Sequence, residues 1–483
     1  LAARKLLVRD FVERALNVAQ LHGAAYADVR VEEHHVQSVS TKNGMVDALL
    51  DEESQGFGVR ALADGAWGFA ASAVLTMAEI ERVAEMAVAI ARASSLAKRT
   101  DVDLAPVTVE HGSYRTPVQI DPFSISLESK IALLLQADAA MRAVPGLAIA
   151  EGSLQCLRSV KTFASTAGSY LEQEIVETGA GIVATAVGDG EVQQRSYPNS
   201  FGRHQGTAGW EIVETMDLVA NAPRIAEQAM ALLSAPECEP DVTTVIIDPT
   251  QVALQVHESC GHAVELDRVL GMEAAYAGTS FLTPDRLGMR YGSEHVNVVA
   301  DATVAQGLGT FGWDDEGVPA AVTPLIRSGE FVDYLTSRET ASRFGKPSNG
   351  TMRAESWSRL PLIRMTNINL LPGPWRFENL IADTDRGLYV ETNRSWSIDD
   401  RRLNFQFGTE IAWEIVGGKL GRMVRNPSYA GITPEFWNSC DAICSEWQMW
   451  GVTNCGKGQP SQSMHVGHGA AAARFRNVRV GIA

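Results

Sequence analysis

Val245-Ile246-Ile247-Asp248-Pro249, followed eight residues later by His257-Glu258-Ser259-Cys260-Gly261-His262, is the stretch around which the rest of this chain is organised. The apolar, β-branched run 245–247 reads as a buried strand. Asp248 has the character of a helix N-cap, and Pro249 sits at the first helical position, where a missing N–H costs nothing. A strand leading directly into a helix is therefore expected, and that helix carries two histidines flanking a glutamate.

This is close to the H-E-x-x-H arrangement, in which two His bind zinc and the Glu acts on water. The usual spacing is i, i+4; here it is i, i+5. In a regular α-helix each residue turns about 100°, so i and i+4 lie about 40° apart but i and i+5 about 140° apart. Imidazoles that far apart cannot grip one ion. The spacing predicts a widened, π-type turn between His257 and His262, and Gly261 is placed to tolerate it.

A catalytic zinc needs a third protein ligand and one open position. Downstream candidates are Cys455, in Asn454-Cys455-Gly456-Lys457-Gly458-Gln459-Pro460, then His465 and His468, with Cys440 and Cys444 just before. On residue chemistry alone these five could instead form a separate structural zinc site, since Cys440-x3-Cys444 has a plausible spacing.

Further motifs accompany the H-E-x-x-x-H segment. They are Gly312-Trp313-Asp314-Asp315-Glu316-Gly317-Val318-Pro319, Arg364-Met365-Thr366-Asn367, Asn393-Arg394-Ser395-Trp396-Ser397-Ile398-Asp399, the Cys455 segment, and Val466-Gly467-His468-Gly469-Ala470. As an ordered set they resemble the TldD branch of the TldD/PmbA zinc metalloprotease family. The resemblance covers essentially the whole chain and is strongest from about residue 240. It implies one zinc per chain, held by His257, His262 and Cys455, with Glu258 as the general base. It also implies a dimer whose halves enclose the site, either a homodimer or a heterodimer with a PmbA/TldE-like subunit. That companion branch shares the fold but lacks H-E-x-x-x-H, which this chain retains. A thiolate ligand donates more charge than His and so lowers the Lewis acidity of the metal, which suits a restrained hydrolase. His468, between two glycines, is a candidate oxyanion donor, or else makes a structural hydrogen bond in a Gly-rich turn. The acidic run Asp314-Asp315-Glu316 reads as a turn or a substrate-positioning element.

The expected activity is a zinc-dependent peptidase acting on unfolded or extended peptides with low sequence preference, the peptide adding as a strand. The alternatives are a zinc hydrolase of small amides or esters and a non-catalytic peptide-binding partner subunit. Intact His257, Glu258 and His262 argue against the last.

Composition sets the bounds. At 483 residues the chain is too long for one ordinary core. An N-terminal α+β domain over 1–235 is expected, with 1–100 and 101–235 as its two possible sub-units. A zinc metalloprotease domain over 236–483 follows a Pro-rich, acidic junction at 235–241. A net charge of −17 argues against nucleic acid or an anionic membrane as partner. Six scattered cysteines do not suggest a disulfide scaffold and fit a reducing, cytoplasmic setting. No apolar run approaches the roughly 18 residues of a membrane span, and the N-terminus reads as an amphipathic helix rather than a signal peptide.

The fold class is α+β. Apolar residues at Leu7, Phe11, Ala15 and Ala19 predict a helix over 5–22. Strands follow, marked by Val36, Leu49, Val59 and Leu62 and turned by Asn43-Gly44 and Asp64-Gly65, then a helix over 76–94. The order repeats: a helix over 126–144, strands over 147–197 with a turn at Asp189-Gly190, and a helix over 212–233. The repetition, and a faint shared pattern in 36–44 and 160–168, admit either an old duplication or a common α+β layout. Beyond 242, strands over 296–300, 331–335, 387–391 and 403–415, with turns at Ser328-Gly329 and Gly417-Gly418, suggest a large antiparallel sheet or barrel-like wrap around the motif helix. Trp313, Trp357, Trp375, Trp396, Trp413, Trp437, Trp447 and Trp450 all fall in this half, as core anchors with some walling the site.

Overall fold

The computed structural model describes residues 2–188 and 190–481, with side chains described from Val8 onward. The N-terminal part contains two units of the same order. Helix Ala2–Leu21, strands Tyr26–Lys42, Met45–Ala63 and Ala66–Ser72, and helix Met77–Ser95 form the first. Helix Leu127–Arg142, strands Ile149–Ser165, Tyr170–Gly188 and Glu191–Tyr197, and helices Glu211–Met216 and Leu218–Leu232 form the second. The first strands of the two units pair antiparallel, Glu33 opposite Val160, so both units build one continuous sheet. Each unit keeps its own apolar core beneath its helices. The two similar stretches, 36–44 and 160–168, each lead into the first hairpin turn of their unit.

The turns are those expected. Asn43-Gly44 and Asp64-Gly65 have positive φ at both positions and join strands that pair directly across them, as two-residue hairpins require. Of the turn at Asp189-Gly190, Asp189 lies outside the described residues, and Gly188 pairs with Glu191 around it. In the first helix Phe11, Ala15 and Ala19 are buried, while the Leu7 side chain lies outside the described residues. The helix expected over 212–233 is broken. Asp217 takes a left-handed conformation, φ 45°, which Asp tolerates better than most residues. The Met216 carbonyl freed by the break accepts the Tyr197 hydroxyl at 2.8 Å.

In the C-terminal part the strands do wrap. Asp241–Ile247, Arg386–Ile398, Asn404–Val416, Ser428–Ile432 and Ala473–Val480 pair in a ring and close a five-stranded barrel. One pair is parallel, Gly387 opposite Thr244 through Val390 opposite Ile247, where only antiparallel pairing was expected. The chain between these strands is long enough to make the crossover that parallel pairing needs. The strand expected over 331–335 shrinks to Glu330–Phe331. Leu335 instead bridges to Glu265, just beyond the motif helix, and exchanges backbone bonds with Val264 and Leu266. Val252, Val256 and Cys260 of the motif segment are fully buried in the largest core, beside Trp437 and Phe475. Among the described residues no helix is long and apolar enough to cross a membrane.

Candidate metal centre and the cleft around it

The local rules at 245–262 are obeyed. The Asp248 side chain accepts the Thr250 N–H at 2.8 Å and caps helix Pro249–Gln255, with Pro249 at its first turn. The segment Val256–Gly261 is a π-helix, and the His262 N–H bonds to the His257 carbonyl, five residues back. The wider turn brings the rings onto one side, with centroids 4.8 Å apart and planes at 90°. Gly261 itself has an ordinary right-handed backbone, φ −62°. What demands glycine there is packing, because a Cβ would collide with the Met365 sulfur.

Cys455 arrives from strand Gln448–Lys457, and its Sγ lies 3.7 Å from His262 Nε2. The ligand atoms of His257, His262 and Cys455 fall within 4.8 Å of one another, and all three side chains are buried. Burial alone would raise the Cys455 thiol; the facing His262 and Arg364 outweigh it and bring it below its ordinary value. Burial lowers both motif histidines, favouring the neutral rings a metal needs.

Outer partners fix the two rings. His468 Nδ1 lies 3.1 Å from the Ile368 carbonyl, which can only accept, so His468 carries its proton there. Its Nε2 then accepts from His257 Nδ1 at 2.8 Å, leaving His257 Nε2 with a free lone pair. His262 Nδ1 donates to Glu265 Oε2 at 2.9 Å, leaving its Nε2 toward Cys455. Burial works against the Glu265 charge, but Lys457, His262 and Arg268 hold its carboxyl well below the usual range.

His468 is thus not the oxyanion donor considered from the sequence. It is buried in strand Gln462–Ala470, not in a turn, and both ring nitrogens are engaged in orienting His257. Replacing His468 by alanine should weaken zinc binding by about 10–100-fold, the usual worth of such an outer partner. Chelator competition measures this; an unchanged affinity would show that His257 needs no orienting.

The alternative five-residue zinc site is not assembled. Cys440 lies on strand Cys440–Ile443 opposite Phe475, and burial pushes Cys440 and Cys444 up to about 12. His465 Nδ1 is 2.5 Å from Glu177 of the N-terminal sheet. Among the described residues, His257, His262 and Cys455 are the one such group of three able to share an ion.

A cleft of about 690 Å³ opens onto this centre between the N-terminal segment 199–203 and the barrel. Glu258 lines it, 6% exposed, with His257, His262 and Cys455. Phe201 and Trp396, 55% and 43% exposed, meet edge to face at 6.1 Å in its wall. Trp396 thus lies at the site, whereas Trp437 is a core anchor, its indole N–H 2.9 Å from Ser259 Oγ on the motif segment.

Three family models match the chain. They describe PmbA/TldA metallopeptidase domain 1 over 27–91, the central domain over 120–234 and the C-terminal domain over 240–481.

The chain belongs to the PmbA/TldD metallopeptidase family.

A metalloprotease of Methanocaldococcus jannaschii is 29% identical over 472 residues, covering 97% of this chain and 99% of that one. A metalloprotease named as a TldD homologue, from Haemophilus influenzae, is 25% identical over 472 residues, covering 94% and 92%. The crystal structure of TldE from Thermococcus kodakarensis shares the fold, with a TM-score of 0.76 at 15% identity over 97% and 99% of the two chains.

The acidic run of this metallopeptidase takes the turn role. Asp314 accepts the N–H groups of Glu316, Val318 and Met352, and Asp315 and Glu316 are bound by Lys161 and Arg60 of the N-terminal sheet. None of the three lines the cleft. Sequence reasoning missed Arg402, whose Nη1 is 3.1 Å from Glu258 Oε2. In Asp399-Asp400-Arg401-Arg402 nothing distinguishes one arginine from the other; only the backbone does.

Proposed function

We propose that this PmbA/TldD metallopeptidase is a zinc peptidase that hydrolyses unfolded or extended peptides with low sequence preference. One zinc per chain is held by His257, His262 and Cys455, and Glu258 is the general base. The observation that carries this is the convergence of two imidazoles and a thiol within 4.8 Å, at the floor of a cleft that Glu258 also lines. Two nitrogens and one sulfur suit zinc, and three protein ligands leave a position open. When bound, zinc supplies a Lewis acid and makes water more acidic. Glu258 accepts a proton from the attacking water and returns it to the leaving amine nitrogen. Oε2 is engaged by Arg402, while Oε1 accepts no hydrogen bond among the described residues.

Low sequence preference follows from backbone recognition. Residues 396–398 line the cleft from a strand that, over that stretch, ladders on one side only. An extended peptide can add to such an edge through main-chain bonds. Phe201 and Trp396, both exposed, offer apolar surface beside that edge. We take residues 1–235 as the N-terminal domain and 236–483 as the catalytic domain, and residues from both ranges line the cleft. Six buried free thiols fit a reducing, cytoplasmic setting. We assign the assembly as a homodimer or a pair with a PmbA/TldE-like subunit.

Metal analysis with a cleavage assay tests this. The protein should hold about one zinc per chain, cut a reduced, unfolded test protein, and leave the folded form of that protein intact. Comparable cleavage of both forms would remove the extended-peptide reading. Turnover of small esters or amides with no peptide cleavage would favour the small-substrate hydrolase instead.

A further inference from the structure

We infer that Arg402 is the positioning residue for Glu258, holding its carboxylate in the orientation that receives the proton. This rests on the peptidase reading with Glu258 as base. The argument begins with the turn between barrel strands Arg386–Ile398 and Asn404–Val416. Asp399 pins that turn, its side chain accepting the N–H groups of Arg401, Leu403 and Asn404 at 2.8–3.1 Å. The Arg402 N–H bonds back to the Asp399 carbonyl at 2.9 Å, and the Arg402 carbonyl accepts the Thr433 hydroxyl at 3.0 Å. Arg402 is thereby locked at φ +63°, in the left-handed region that L side chains rarely adopt.

The consequence lies in where the side chains go. Arg401, with an identical side chain, is exposed. The twist at Arg402 turns its guanidinium inward instead, to 13% exposure in the wall of the cleft. There Nη1 meets Glu258 Oε2 at 3.1 Å, Nη2 is 3.4 Å from the Ala277 carbonyl, and Nε is buried without a partner among the described residues. Unusual backbone geometry in a non-glycine residue concentrates at functional sites, where the surroundings over-determine it. Glu258 is a nearly buried carboxylate, and Arg402 is its ion-pair partner among the described residues. A donor fixed on Oε2 leaves Oε1 as the proton acceptor and limits rotation of the carboxylate. Proton transfer depends on such placement, and a misplacement of about 1 Å can cost about 10²-fold in rate.

A double-mutant cycle distinguishes action through Glu258 from other roles. Arg402→Ala in the zinc-loaded protein should lower kcat by about 10²-fold, with KM, zinc content and melting temperature near wild type. Arg402→Lys, which keeps the charge but not the planar fork, should recover part of the loss. In a Glu258→Gln background, Arg402→Ala should cost almost nothing further. An equal loss in both backgrounds would overturn the inference, because Arg402 would then act on the substrate or on the fold. If the wild-type protein cleaves no peptide, the peptidase reading fails on its own, and crystal structures still decide this point. A displaced or rotated Glu258 carboxylate in zinc-loaded Arg402→Ala supports the positioning role, and an unmoved one overturns it.

Discussion

Replacing Cys455 by serine is expected to strip the protein of most of its zinc, while the same change at Cys440 or Cys444 leaves the metal in place. Three cysteines near the C-terminus look alike in composition, but their surroundings differ. The Cys455 sulfur faces His262 Nε2 at 3.7 Å and is brought below its ordinary value by His262 and Arg364, against the effect of burial. Cys440 and Cys444 lie in apolar surroundings that push them up to about 12, so neither offers a thiolate. A serine hydroxyl does not ionise near neutral pH and is a poor zinc ligand. Affinity should therefore fall further than the about 10–100-fold typical of losing an outer partner. Arg364 donates to the Cys455 carbonyl, a backbone contact that the substitution keeps, so the strand should remain in place. Metal-to-protein ratios after dialysis, with chelator competition, measure the outcome. Equal zinc loss from all three variants would favour a separate structural site.

The features legible in the sequence were those set by local rules. Asp248 and Pro249 announce a helix start whatever lies around them, and the fivefold spacing of His257 and His262 leaves only a widened turn if both are to face one ion. Asn-Gly and Asp-Gly name their hairpins for the same reason, since they need positive φ at adjacent positions. Cys455 stands apart. It is 193 residues from His262, and spacing alone left it one of five candidates. The ordered set of motifs, not the chemistry of one residue, implied its role.

What was illegible depends on distant contacts. His468 reaches His257 across 211 residues and Arg402 reaches Glu258 across 144, and no local pattern encodes either meeting. The parallel strand pair was hidden because 245–247 and 387–391 look equally apolar in either direction. Asp217 breaks a helix whose apolar spacing continues through it, because tertiary partners such as Tyr197 accept the cost. The shortened strand at Phe331 has the same cause: Leu335 is taken up by the segment beyond His262 rather than by a sheet neighbour.

Glu258→Gln should separate catalysis from metal binding more sharply than any other single change. Glutamine keeps the size of glutamate and a carbonyl oxygen that can still accept from Arg402, but it cannot take a proton. None of the proposed zinc ligands is altered, and the His468–His257 and Glu265–His262 contacts that orient them are untouched. Zinc should therefore bind at the wild-type stoichiometry. Arg402 loses a charged partner, but it lines an open cleft where water can reach its guanidinium, so folding should persist. Turnover of the unfolded substrate should fall by about 10²–10⁴-fold, the usual worth of a general base. The variant should still bind an extended peptide, since the strand edge at 396–398 and the Phe201–Trp396 wall are unchanged. His257→Ala makes the contrast: it should lose metal and activity together, because the ring itself is one of the proposed ligands. Steady-state kinetics beside metal analysis on the two variants reads both effects. Near-wild-type turnover from zinc-loaded Glu258→Gln would make Glu258 a structural partner of Arg402, and the proton transfer assigned to it would have to come from elsewhere in the cleft.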